Sequence, residues 1–208
     1  VHDQNVAGRD VVEYKRWGIA PSLTIGMNSP TKLTLGYYHM QTDDMPDAGG
    51  FPYSNPFAAT NANAGLNGNG GPVVPNRNAY YGLVDRDFQK TKADIGTIDF
   101  SHDFGNDLVL RNTLRVGQTS NDYIWTQPDD SKGNPLLYGT LWRRSNTRDA
   151  QTDTVINVTS LSGKAKTGAI EHSFNAGLEL SQEKTKRGTY AFSPNTNNPL
   201  TGGTSCPT

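Results

Sequence analysis

His102 stands between Ser101 and Asp103, the three residue types of a hydrolytic triad. The surrounding run alternates apolar and polar residues, as an extended strand does. Neighbours in such a strand point to opposite faces, so His102 meets neither side chain locally. It shares a face with Ile98, Phe100 and Phe104, as an interfacial histidine would. His172, on a similar apolar face near a short turn, reads the same way. The stretch Asp129-Asp130-Ser131-Lys132-Gly133-Asn134 has the flavour of a calcium loop but lacks the closing bidentate acid, so it reads as a turn. Asn157-Val158-Thr159 fits a glycosylation acceptor, yet it falls inside a predicted strand and is discounted. No covalent chemistry is expected from these groups, and the chain reads as a non-enzyme.

The elements that position them are strands. Ile98, Phe100, His102 and Phe104 alternate with Thr97, Asp99, Ser101 and Asp103, and Gly105-Asn106-Asp107 then supplies a reversal. The chain returns with Leu108, Leu110, Leu114 and Val116 on one face, interrupted by Asn112, and with Arg111, Thr113, Arg115 and Gly117 on the other. Upstream, a strand starts near Arg9. Trp17, Ile19, Pro21, Leu23, Ile25 and Met27 form one side of it, and a turn is expected at 28–31. Lys32 to Gln41 follows with Leu33, Leu35 and Tyr37 outward. Pro21 is awkward for any ladder because it has no N–H. Downstream, Thr152 to Ser160 has Thr154, Ile156 and Val158 on one face, and 161–166 reads as a turn. The last strand sets Ile170, His172, Phe174, Ala176, Leu178 and Leu180 against Glu171, Ser173, Asn175, Gly177 and Glu179. Residues 1–8 carry no pattern.

Composition narrows the class. The chain has 208 residues, only 34 % hydrophobic, and a net charge of −1, so nothing points to nucleic acid. No apolar run approaches a membrane helix. Barrel strands remain possible, because their alternating pattern keeps mean hydropathy low. Cys206 has no partner cysteine in the sequence. The opening Val1-His2-Asp3, without initiator Met or signal peptide, reads as an interior piece of something longer.

About six strands in three hairpins result. Short turns alternate with long loops at 42–92, 126–151 and from 184 onward. Long structureless loops are unusual in compact soluble domains and ordinary on the outer side of large barrels. The expected fold is therefore all-β: an antiparallel transmembrane β-barrel segment of about six long strands with long extracellular loops. Trp17, Tyr37 and Tyr38 suit an aromatic girdle. Arg111, Arg115, Glu171 and Glu179 would face the lumen. A passive porin, or a soluble secreted β-sandwich that binds carbohydrate, are the rival classes.

The residues then point to a family. Arg16-Trp17-Gly18-Ile19-Ala20-Pro21-Ser22-Leu23-Thr24 and Leu33-Thr34-Leu35-Gly36-Tyr37-Tyr38-His39 resemble strands of TonB-dependent siderophore receptors. Asn76-Arg77-Asn78-Ala79-Tyr80-Tyr81-Gly82-Leu83, Asp85-Arg86-Asp87-Phe88, His102-Asp103-Phe104 with Leu110-Arg111-Asn112, and His172-Ser173-Phe174 with Gly177-Leu178-Glu179 extend the likeness over nearly the whole chain. It is nearest to the catecholate type. The resemblance implies a 22-stranded barrel with an N-terminal plug, in the bacterial outer membrane and embedded in its lipid. Residues 1–208 would be an interior portion of that barrel, with plug and C-terminal strands absent. Contact with the TonB complex would run through the missing plug.

The resemblance also implies a ligand, the ferric siderophore, as cargo rather than cofactor. Ferric catecholates are bulky, anionic and aromatic, so cations and aromatic faces suit them. The first loop offers Arg77, Tyr80, Tyr81 and Arg86. The second offers Trp125, Tyr138, Trp142, Arg143 and Arg144. The expected ligand-binding set is Arg77, Tyr80, Tyr81, Arg86, Trp125, Trp142, Arg143 and Arg144, with no metal ligands and no catalytic residues.

Overall fold

The computed structural model describes residues 1–47, 78–105, 107–128, 136–137, 140–141 and 143–192. Its strands are β1 (His2–Asn5), β2 (Glu13–Ile19), β3 (Ser22–Ile25), β4 (Thr31–Asp44), β5 (Phe88–Asp103), β6 (Val109–Pro128), β7 (Leu136–Leu137), β8 (Thr140–Leu141), β9 (Arg143–Thr167) and β10 (Ile170–Gly188). No helix occurs among the described residues. One sheet runs in the order β1-β2-β4-β5-β6-β9-β10, every neighbouring pair antiparallel, with β3 also on β4. β7 and β8 pair only with each other.

β2 and β3 behave as one strand. Ile19 lies opposite His39 and Ser22 opposite Gly36, so the register passes through Pro21 unbroken. The Tyr37 N–H still donates to the Pro21 carbonyl at 3.0 Å; only the return bond is lost, because proline has no N–H. Counted this way, six long strands form the sheet. The first eight residues are not featureless: His2–Asn5 adds a short edge strand to β2.

Register fixes the faces, since residues directly opposite share one. Leu23, Leu35, Ile98, Leu114, Asn157 and Leu180 lie in one row across the sheet. The rows above and below hold Tyr37, Val116 and Val155, and Phe100 and Leu178. Except for Asn157 these side chains are apolar, and many are exposed: Leu23, Leu178 and Leu180 each keep 60 % or more of their surface. An apolar face without a packed layer against it needs an apolar medium. From Phe104 to Asp94, β5 runs about 33 Å at ~3.3 Å per residue, or about 25 Å of height at a tilt of ~40°. That height matches the apolar band of a transmembrane barrel.

Three expectations need correction. The strands outrun their periodicity: β4 reaches Asp44, β5 starts at Phe88, β6 continues to Pro128, β9 begins at Arg143 and β10 ends at Gly188. Above the apolar band neither face demands hydrophobic residues, so alternation vanishes while the ladder continues. The last hairpin turns at Gly168-Ala169, not at 161–166; Ile170 pairs directly with Thr167, and Gly168 takes φ of 64°. Gly163 lies within β9, where an added Cβ would come 2.9 Å from the Phe174 ring. The first turn starts at Gly26, whose φ is 79°, rather than at 28. Thr154, Ile156 and Val158 do share a face, and it is the polar one, opposite Gly117, Arg115 and Thr113. The apolar face of β9 is Val155, Asn157, Thr159 and Leu161.

Candidate functional site

Apart from Gly163, the buried residues cluster at one end, above the apolar band. Val12 (1 % exposed), Ile124, His39, Thr42, Asp44, Asp87 and Thr126 all belong to this collar. His102 is at the opposite end, where Nδ1 meets the Thr31 hydroxyl at 2.7 Å and the ring stands edge-on to Phe104. Asp103 faces away and accepts the Gly105 N–H. These contacts leave no Ser-His-Asp relay.

Asp87 organises the start of β5. Its carboxylate accepts from the backbone N–H of Thr126 at 2.8 Å and of Leu83 at 3.2 Å, and from the Tyr80 hydroxyl at 3.3 Å. The Arg86 guanidinium closes on the same carboxylate at 3.1 Å and donates to the Thr126 hydroxyl at 2.5 Å. Burial, with Asp87 beside it, pushes the Tyr80 hydroxyl well above the ordinary tyrosine range, so it stays a donor. Residues after β10 fold back over this end of the sheet. The Tyr190 N–H donates to Thr147 and its hydroxyl to Asp122 at 2.7 Å, its ring meets Phe88 edge-on, and Phe192 lies under Arg86.

A second group lies on the polar face of the long β6–β9 hairpin. Tyr123, Trp125 and Gln127 alternate with Ile124 and Thr126, and stand opposite Arg148, Asn146 and Arg144. The Tyr123 and Trp125 rings are 5.0 Å apart, and the Arg148 guanidinium lies 5.9 Å above the Tyr123 ring. Gln127, with its amide oxygen turned toward it, accepts from Arg144, which is otherwise exposed. Trp125 Nε1 and Asn121 Oδ1 on this face are buried without a hydrogen-bond partner. Two aromatic rings, two guanidinium groups and an unused indole N–H make a surface suited to an anionic aromatic ligand. Among the described residues no three His, Cys, Asp or Glu side chains converge on a metal position.

The structure thus divides the expected ligand-binding residues. Tyr80 and Arg86 are joined around Asp87. Trp125 and Arg144 share the polar face of the hairpin. Among the described residues no hydrogen bond or ring contact joins Tyr80 or Arg86 to Trp125 or Arg144. Tyr81, half-buried, follows Tyr80 in the chain. Arg77, Tyr138, Trp142 and the Arg143 side chain lie outside the described residues, as do residues 129–134 and Cys206. Sequence reasoning missed Arg148, Tyr123 and Asp87. Tyr123 was within reach, because it shares parity with Trp125. Arg148 becomes visible only once β9 is registered against β6.

No protein-family profile matches the chain. Relatives do. The probable TonB-dependent siderophore receptor PiuA of Acinetobacter baumannii is 43 % identical over 190 residues, covering 91 % of this chain and 24 % of PiuA. The chain is homologous to TonB-dependent siderophore receptors. The catecholate siderophore receptor Fiu of Escherichia coli K12 is 34 % identical over 188 residues, covering 85 % of this chain and 24 % of Fiu. The crystal structure of PiuA superposes with a TM-score of 0.76 at 41 % identity over 95 % of this chain and 27 % of that one. The closed form of Fiu gives 0.78 at 29 % identity, over 92 % and 27 %. The chain therefore spans about a quarter of these receptors' length, and its sheet is an antiparallel segment of their β-barrel type. Its apolar face is the lipid-facing one, and its polar face the interior.

Proposed function

We propose that this chain is part of an outer-membrane receptor that binds ferric catecholate siderophores and imports them with energy supplied through TonB. The observation that carries this reading is the interior face of the β6–β9 hairpin. There Tyr123, Trp125, Arg144 and Arg148 present rings and positive charge above the apolar band. The homology to receptors named for siderophores supports the cargo class. The collar lies outside the cell and the short turns at Gly26, Gly105 and Gly168 lie in the periplasm. Charge draws the anionic complex in, over about a Debye length, and stacking holds its rings. Iron arrives inside the ligand, as cargo. The receptor carries out no covalent step.

The test is equilibrium binding of ferric catecholates to the full-length receptor in detergent. Replacing Arg143 and Arg144 together by Ala weakens binding by about 1–3 kcal/mol, the scale of charged hydrogen bonds. Unchanged affinity at low salt, with the variant folded, removes the hairpin from the site. Preference for neutral or cationic ligands removes the catecholate assignment. Uptake that persists without TonB would favour a passive pore.

A further inference from the structure

Alternation specifies which way each side chain points, and nothing more. A slip of one residue turns every side chain to the wrong face, but a slip of two keeps every face intact. Something else must reject the two-residue slip. For three pairings a short turn does so: β3 with β4 at Gly26, β5 with β6 at Gly105 and β9 with β10 at Gly168. The other two long pairings have no such turn. The chain between Asp44 and Phe88, and between Pro128 and Arg143, is long.

The polar contacts on the lipid-facing side follow this division. Among the described residues, side-chain hydrogen bonds between strands on that side occur at β4–β5 and β6–β9 alone. At β4–β5, Thr31 meets His102 at 2.7 Å near the short turns, and Tyr37 and His39 both meet Asp94 at the upper rim. At β6–β9, the Asn112 amide donates to Asn157 at 3.1 Å and to the Thr159 hydroxyl at 2.7 Å, and Asn157 donates back at 3.3 Å. Gln118 donates to Asp153 at the rim. The turn-joined pairs carry their bonds on the interior face: Thr24 with Thr34, Thr113 with Asp99, Thr152 with Thr185.

The Asn112 cluster lies in the middle of the apolar band, between the row of Phe100 and Leu178 and the row of Ile98 and Leu180. Amides there have no water to turn to, so each depends on the other. If β9 slides so that Arg115 faces Val158, Asn112 faces Leu161 and Asn157 faces Val116. Both amides then meet hydrocarbon; the opposite slide, with Arg115 facing Thr154, sets Asn112 against Asn157 and strands only Thr159, opposite Leu110, so the lock acts chiefly against the first slide. We propose that the polar contacts on the lipid-facing side set the strand register at the two pairings that no short turn fixes, with Asn112, Asn157 and Thr159 as the lock between β6 and β9.

The test uses the full-length protein folded into lipid, with cysteine pairs on the interior face that leave the lock untouched. Native register sets Arg115 opposite Ile156; a shift of two sets it opposite Thr154 or Val158. With the lock intact, oxidation closes the Arg115→Cys, Ile156→Cys pair and neither shifted pair. In the Asn112→Leu, Asn157→Leu, Thr159→Val background, closure of the Arg115→Cys, Val158→Cys pair rises at least about fivefold, the scale of an intramembrane hydrogen bond. The Val158→Cys, Glu179→Cys pair across the turn-joined β9–β10 does not change. Unchanged closure in the lock-free background overturns the proposal. Should that variant fail to insert, Leu110→Asn with Asn112→Leu keeps the composition and moves the amide two positions. Its closure then moves toward Arg115→Cys, Thr154→Cys, the register in which residue 110 faces Thr159. Closure at the native pair alone in this relocated variant also overturns it.

Discussion

The apolar band and the collar above it are built from the same six strands and held by opposite means. In the band, large apolar side chains are exposed and polar ones are few. Trp17, Ile19, Leu23, Leu178 and Leu180 meet lipid, and the ladder satisfies the backbone. In the collar, the best-buried groups are mostly polar: Asp87, Asp44, Thr42, His39 and Thr126. There the strands leave the membrane and depend on specific contacts. Arg16 grips Asp44 with both Nε and Nη2, Arg9 pairs with Asp47 at 2.6 Å, and Arg86 pairs with Asp87. The difference teaches that one strand can carry two solvent regimes along its length, and only the lower one writes a periodic signature.

The collar should break hardest at its buried charge. Asp87→Ala leaves Arg86 without its carboxylate and two backbone N–H groups without acceptors. Removing one partner of a buried pair costs about 3–5 kcal/mol. Hydrogen exchange of the full-length protein should show fast exchange at 79–87 and 124–126, with β5 below Asp94 still protected. Loss of protection throughout the sheet would mean that collar and band are one cooperative unit. The band should break next, at its midplane. Leu114→Lys puts a charge opposite Ile98 on the lipid-facing side and should cost about 2–4 kcal/mol in folding titrations from denaturant into lipid vesicles. The same substitution at Asp122, on the same face but in the collar, should cost far less.

Smaller effects sharpen the boundary. Gly163→Ala brings a Cβ within 3.0 Å of the Phe174 ring and Leu108 together, an overpacking worth about 1–3 kcal/mol unless the ring turns away. Smallest is the fold-back at Tyr190. Its hydrogen bond to Asp122, with partial burial, pushes the hydroxyl up to about 12. A folded value above the unfolded one near 10 means that this contact is complete below pH ~10 and is lost as pH rises through the folded value. Protection at 188–192, taken relative to the intrinsic base-catalysed exchange rate, should therefore fall above pH ~10 in the wild type. Tyr190→Phe should show the lower protection at every pH. A wild-type protection independent of pH would place the anchor in the rings of Phe88 and Tyr190 instead.

Legibility in the sequence follows the same boundary. Ile98, Phe100, His102 and Phe104 declared their strand because lipid demands an apolar residue at every second position. Phe88 to Lys92 and Thr126 to Pro128 belong to the same strands but lie above the apolar band, where no alternation is demanded, so they read as loop. Gly163 misled for a different reason: glycine suggests a turn, whereas here it makes room for a ring. Ile156 and Val158 read as one face but not as the interior one, because β-branched residues suit any strand position. The ligand-binding proposal was legible in residue type, Arg and aromatic, but not in arrangement. Which of these groups share a face depends on the pairing of β6 with β9, strands separated by a long connection.

The account rests on the band crossing a membrane with the collar on the outer side and the turns on the inner. Single cysteines at Asp85 in the collar and at Ala169 in the last turn, both exposed, report this directly in the full-length protein. Whole cells are treated with a thiol reagent that does not cross the outer membrane. Labelling at Asp85→Cys, with Ala169→Cys reacting only after the membrane is opened, is the result the account predicts. Labelling of intact cells at Ala169→Cys but not at Asp85→Cys would contradict it.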